Sequence, residues 1–177
     1  MALQQKYSIA LYGIIIFLFF SSPAIANKTV YGYLEPVTLH PEKVSLTAKL
    51  DTGAETASIS AANIQLYKKG ENDYVKFEVA HPKIEQSLKY DLPLVRLSKI
   101  KKRASEIDGM KKNHARPVVN MQIYFDGKPY QINVNLIDRS HFSTPMLLGR
   151  KALTKLGVIV DGTIKNTIQK NQPMHNN

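Results

Sequence analysis

The stretch of this chain best suited to chemistry is Asp51-Thr52-Gly53-Ala54. A carboxylate at the end of an apolar strand, followed by a hydroxyl and a glycine, can act as a general acid or base. The same residues can also be a plain strand-to-turn junction, with Gly53 permitting a positive φ. The context favours chemistry. An apolar strand ends at Leu50, Ser58-Ile59-Ser60 resumes an extended pattern, and far downstream Met146-Leu147-Leu148-Gly149 leads into a short helical stretch. Other chemistries are excluded or unsupported. The chain has no Cys, so disulfides, thiolate zinc sites, iron–sulfur clusters and cysteine nucleophiles are out. His40, His81, His114, His141 and His175 are scattered and no H-E-x-x-H is present, whereas zinc needs converging ligands. No G-x-x-x-x-G-K-[ST] offers a phosphate cradle. No metal and no cofactor is expected.

The elements that must position these residues are mostly strands. Val44–Leu50, Tyr74–Val79, Val118–Phe125 and Tyr130–Ile137 alternate apolar and polar residues, the pattern of half-buried strands. Asp126-Gly127 between the last two predicts a tight hairpin. Met146–Leu148 is a short buried run. Arg150–Leu156 can form two helical turns stopped by Gly157, and Val158–Asp161 reads as a last strand. With 177 residues, 44% hydrophobic and 21% charged, the composition is that of an ordinary globular domain.

The first 26 residues stand apart. Lys6 is followed by the apolar run Ile9–Phe20 and by Ser21-Ser22-Pro23-Ala24-Ile25-Ala26, the layout of a secretory signal peptide with an A-x-A end. The run is short for a membrane span, which needs about 20 residues. The expectation is therefore an exported, periplasmic protein with no permanent anchor after cleavage. It comprises a signal peptide over 1–26, one domain over 27–169, and a polar tail over 170–177 expected to be disordered. About 150 residues can bury a core without disulfides, so the missing Cys does not argue against export.

The two chemistry-bearing motifs together resemble the retropepsin-like aspartic proteases, whose core is D-[TS]-G-A, a flap hairpin, and an apolar-apolar-Gly segment opening a helix. Within that clan the chain is most similar to a bacterial group labelled "ATP-dependent zinc protease". The likeness rests on Gly32-Tyr33-Leu34-Glu35, Ala48 to Ala54, Val75-Lys76-Phe77 with His81-Pro82, Arg116-Pro117-Val118, and Pro145 to Arg150. It covers Tyr31 to Gly162, although Tyr67–Leu97 is longer than the compact viral members carry there. The resemblance implies a mostly-β, retropepsin-like closed barrel with a flap hairpin and one short C-terminal helix. It implies Asp51, Thr52 and Gly53 as catalytic residues, and Leu147, Leu148, Gly149 and Arg150 as active-site support. Ala54 and the flap tip Ile107-Asp108-Gly109-Met110 would meet substrate. Neither the zinc nor the ATP of the group's label finds a seat in these residues.

Such hydrolysis needs two carboxylates sharing one proton, because two carboxylates about 3 Å apart cannot both ionise. This chain has one D-T-G; Asp91, Asp108, Asp126, Asp138 and Asp161 lack that setting. The resemblance therefore implies a two-fold homodimer in which each copy supplies one Asp51. The formal charge is +10. Lys99, Lys101, Lys102, Arg103, Lys111, Lys112 and Arg116 crowd the flap region against Glu106 and Asp108. Two readings stand: a solvated hairpin kept from aggregating by its charges, or attraction of an acidic peptide, anionic lipid headgroup or cell-wall polymer. No nucleic-acid reader motif is present.

The leading expectation is thus a homodimeric aspartic endopeptidase acting on a peptide or protein substrate. The alternatives are a catalytically silent module of the same fold that binds peptide or acidic ligand in the cell envelope, and a processing partner of a peptide-ligase system. The leader segment generates the first prediction: N-terminal sequencing of the exported protein should read Asn27 first. A chain still beginning at Met1 would reverse it.

Overall fold

The computed structural model describes residues 28–98 and 115–168. The strands are β1 (Val30–Gly32), β2 (Leu34–Leu39), β3 (Ser45–Asp51), β4 (Ala57–Lys69), β5 (Asn72–Val79), β6 (Leu88–Ser98), β7 (Arg116–Phe125), β8 (Lys128–Ile137), β9 (Met146–Gly149) and β10 (Ile159–Asp161). One helix, α1 (Arg150–Leu156), lies between β9 and β10. The expected signal peptide, flap tip and tail fall outside the described residues.

Hydrogen bonds run from β2 to β3, β9, β4, β8 and β7 and return to β2, closing the strands into a ring. The mostly-β, retropepsin-like architecture with one short C-terminal helix is the one the sequence led us to expect. Alternation decides what faces inward. Leu46, Ala48 and Leu50 of β3, Ile59 of β4, Val134 and Leu136 of β8, and Met146 and Leu148 of β9 are buried in one core with Val37, Leu39, Ile123 and Phe125. The Asp126-Gly127 hairpin forms as predicted, with both residues at positive φ (49° and 72°), as a two-residue turn of this kind requires. The helix ends at Gly157, which adopts the left-handed conformation.

The stretch from Tyr67 to Leu97 completes β4 and adds β5 and β6. β4 carries a register shift between Ala62 and Gln65, with Asn63 at positive φ inside it. Such a bulge bends a strand. Before the bulge β4 pairs with β8 and β9, and its far half pairs with β5. β6 then runs along β5 and passes onto β7. β1, β2 and β6 are not among the strands expected from the sequence, although Leu88, Tyr90 and Leu92 of β6 alternate, with Pro93 in the run removing a backbone donor.

β2 holds an exception to the apolar interior. Glu35 lies on the core-facing side with Val37 and Leu39 and is 0% exposed. Its carboxylate accepts hydrogen bonds from the Gly32 N–H (2.7 Å), the Thr167 N–H (2.9 Å), the Thr167 hydroxyl (2.6 Å) and the Ile168 N–H (3.2 Å). Gly32 packs so closely on the returning chain that a Cβ there would lie 2.5 Å from the Ile164 carbonyl oxygen. The Gly-x-x-Glu segment is thus a clamp that holds residues 164–168 against β1 and β2. Removing the acceptor strands several buried donors, each costing about 1–3 kcal/mol. Glu35→Ala should therefore destabilise the domain by about 3 kcal/mol or more, read as a lowered urea midpoint; a midpoint equal to wild type would refute the clamp.

Candidate active site

Asp51 is the last residue of β3, and its place is set by the parallel ladder between β3 and β9, in which Asp51 stands opposite Gly149. Gly149 is glycine for a steric reason. A Cβ at that position would lie 2.6 Å from the Thr56 carbonyl oxygen and 2.8 Å from that of Ala54. The loop after Asp51 therefore rests directly on the β9–α1 junction. The first N–H groups of a helix lack intrahelical partners, and here the loop supplies them: Arg150 N–H donates to the Ala54 carbonyl (2.8 Å) and Lys151 N–H to that of Glu55 (3.1 Å). The Arg150 guanidinium donates from Nη1 to the Thr52 (3.1 Å) and Gly53 (3.2 Å) carbonyls. On the far side, Asn135 donates to Thr56 Oγ1 (2.9 Å) and to the Ala57 carbonyl (2.8 Å). The D-T-G loop is thus held from two elements.

Within the loop, Asp51 Oδ1 accepts the Gly53 N–H (2.9 Å). Oδ2 faces the Lys49 ammonium at 3.2 Å, and the Asp51 side chain is 25% exposed. Partial burial alone would raise the Asp51 pKa; the Lys49 contact and the Gly53 N–H outweigh it and hold the carboxyl below the usual carboxylate range. Thr52 and Gly53 are exposed. Glu55 is held low by its ion pair with Lys151 at 2.7 Å.

A second cation lies behind this face. Arg139 is 4% exposed, donating from Nη1 to Ser58 Oγ (3.0 Å) and from Nε to the Thr144 carbonyl (3.2 Å), with the Phe142 ring 4.5 Å from the guanidinium carbon. Burial lowers its pKa, and the Asp51 charge acts the other way. The 139–144 loop is itself tied down by His81 and Lys83. His81 Nδ1 accepts the Lys83 N–H (3.1 Å), which leaves Nε2 to carry the proton and donate to the Phe142 carbonyl (3.1 Å). Lys83 Nζ donates to the Ser143 carbonyl (2.7 Å).

Of the residues expected at the site, Asp51, Thr52, Gly53, Ala54, Gly149 and Arg150 come together in this loop and its support. Leu148 is buried in the core next to Leu50, opposite which it stands in the ladder. Leu147 faces the other way, beside Lys49 and Ser58. Ile107, Asp108, Gly109 and Met110 lie outside the described residues. Sequence reasoning missed Lys49, Ser58, Asn135 and Arg139 as parts of the site. Lys49 had a signal, because i and i+2 on a strand share a face. Arg139, in a loop, had none. Among the described residues no three metal-ligating side chains converge.

The close approach at Gly149 generates a prediction. Gly149→Ala must push the Ala54–Thr56 backbone away, a kind of overpacking that costs about 1–3 kcal/mol. A urea midpoint lowered accordingly, with amide NMR shifts concentrated in residues 52–56, is the expected outcome; unchanged stability and spectra would count against the contact.

A model of RimB-like proteins, described as retropepsin-like aspartic endopeptidase RimB, matches residues 30–172. A probable alpha-L-glutamate ligase of Shewanella pealeana is 32% identical over 110 residues, 62% of this chain and 23% of that protein. One of the same description from Desulfotalea psychrophila is 28% identical over 111 residues, again 62% and 23%. The chain therefore matches less than a quarter of the length of these curated relatives. A Legionella pneumophila protein of unknown function, solved as a crystal structure, is similar with a TM-score of 0.65 and 34% identity, covering 79% of this chain and 98% of that one.

Proposed function

Because the chain belongs to the RimB-like family of retropepsin-like aspartic endopeptidases, we propose that it hydrolyses peptide bonds with a water activated between two Asp51 carboxylates, one from each of two copies. The observation that carries this reading is the D-T-G loop itself. Asp51 is fixed by β3 and β9, its loop is held by Gly149, Arg150 and Asn135, and Thr52 and Gly53 lie at the surface where a second copy can meet them. One carboxylate takes a proton from the attacking water. The other, protonated, donates to the carbonyl oxygen as the water oxygen bonds to carbon. Collapse of that intermediate breaks the C–N bond, and a proton passes to the leaving nitrogen. Thr52 would hydrogen-bond across the two-fold axis.

The substrate class we propose is an acidic peptide, in particular one carrying glutamates. Lys49 pairs with Asp51 and Arg150 binds its loop, the buried Arg139 adds positive charge behind them, and the chain has a formal charge of +10. The relatives named probable alpha-L-glutamate ligase contain a stretch similar to this chain, which fits a hydrolase paired with glutamate addition. If the leader is cleaved, the site of action would be the periplasm.

The test is Asp51→Asn, which keeps the shape of the side chain and removes its acid and base functions. Hydrolysis should fall by about 10⁴-fold or more, since acid and base catalysis each contribute about 10²–10⁴-fold. Sedimentation velocity should find a dimer in both proteins. A peptide with a run of glutamates should be cleaved faster than its glutamine counterpart, the difference shrinking with added salt. Equal hydrolysis by Asp51→Asn would refute the mechanism, and a strictly monomeric active enzyme would refute the shared dyad.

A further inference from the structure

We propose that Lys49 is a positioning residue of the aspartate pair: its ammonium holds Oδ2 of Asp51, brings a compensating positive charge with each carboxylate to the two-fold axis, and thereby sets the pH range of hydrolysis. The inference rests on the proposed function and extends it to a residue outside the D-T-G.

The geometry begins with the strand period. Lys49 and Asp51 are two apart on β3, so both project from the face opposite Ala48 and Leu50, and the ammonium reaches Oδ2 at 3.2 Å. The Lys49 stem is guided on both sides. Leu34 of β2 and Leu147 of β9 stand opposite Lys49 in their ladders, and both are half-buried. Residues paired across a ladder share a face, so the four-carbon stem lies between two apolar walls with its charged end toward the carboxylate. Lys49 is 45% exposed. An exposed ion pair of this kind contributes little to stability.

Its charge acts on the carboxylates. Two carboxylates brought within about 3 Å repel, and ordinarily one must keep a proton. A cation beside each favours the ionised forms at both protonation steps. The sign follows: Lys49 moves both the gain and the loss of the active, singly protonated pair to lower pH. Other charges face Asp51 too. Arg139, buried in the 139–144 loop, acts on it through charge without contact, and Arg150 from α1 is bound to the Thr52 and Gly53 carbonyls. Glu55, in the same loop, is occupied by Lys151. Lys49 is the one whose ammonium pairs with Asp51 directly among the described residues.

The experiment compares wild type with Lys49→Met, which keeps the stem and removes the charge, and Lys49→Arg, which restores the charge. The first readout is the pH profile of hydrolysis of a fluorogenic oligoglutamate peptide. In Lys49→Met both limbs should move to higher pH, and on the acid side each unit of movement lowers the rate about tenfold; Lys49→Arg should return both limbs toward wild type. The second readout needs no turnover: the carbon-13 titration of the Asp51 carboxyl, assigned by its loss in Asp51→Asn. Its midpoint should rise in Lys49→Met and recover in Lys49→Arg. An unmoved midpoint overturns the proposal whatever the activity. A moved midpoint with unmoved hydrolysis limbs overturns the role in the pair. If wild type cleaves nothing, the proposed function falls and the control of hydrolysis by Lys49 falls with it, while the carboxyl titration decides the Lys49–Asp51 pairing on its own.

Discussion

The contact between Gly149 and the backbone of Ala54–Thr56 is the constraint on which the site depends. It brings the end of β9 within van der Waals reach of the loop that follows β3, a distance that any side chain at 149 would forbid. Because β3 and β9 are parallel and in register, that approach places the start of α1 against the loop. The helix then has a use for the loop's carbonyls, and the loop for the helix's N–H groups. A surface turn carrying Asp51 thus acquires the rigidity of the sheet and helix that flank it.

The ring of strands supplies the other half of that rigidity. β4 leaves the loop, runs between β8 and β9, and bends at its bulge to join β5. Asn135 on β8 can then reach the base of the D-T-G loop from the side opposite α1. One strand away, opposite Ala48 of β3, Glu35 does for the returning chain what Gly149 does for the loop. A buried carboxylate surrounded by backbone donors fixes residues 164–168 in place. A buried polar side chain is tolerated there because its hydrogen-bonding capacity is met.

The electrostatic character of the site follows from strand faces. The inner face of β3 is apolar and joins the core, and the outer face carries Lys49 and Asp51. Ser58 and Leu147 continue that outer face on the neighbouring strands, and Arg139 lies across it from the 139–144 loop. Cations near a carboxylate make it a weaker base and a better partner for a second carboxylate. That combination suits the shared carboxylate pair and the acidic peptide proposed for this site.

Much of this was legible in order along the chain. Alternation in β3, β5, β7 and β8, the Asp126-Gly127 turn, and the Gly149 and Gly157 bounds of α1 are local patterns, and local patterns survive in the sequence. So was the D-T-G with its partner Leu147-Leu148-Gly149, because the glycine and the apolar pair are demanded by contacts that few other residues can make. What the tertiary structure decided is everything that depends on which strands become neighbours. β6 carries Pro93, and its pairing with β5 and β7 identifies it. Gly32 and Glu35 were visible as a motif, but their clamp needs residues 164–168, remote in sequence. Arg139, in a loop without periodicity, joins the site only because β8 pairs with β4 and the loop folds back onto Ser58. The residue types could be read from the chain; the distances between them are properties of the closed ring, since strand neighbours are chosen by burial across the whole domain and not by any short stretch of sequence.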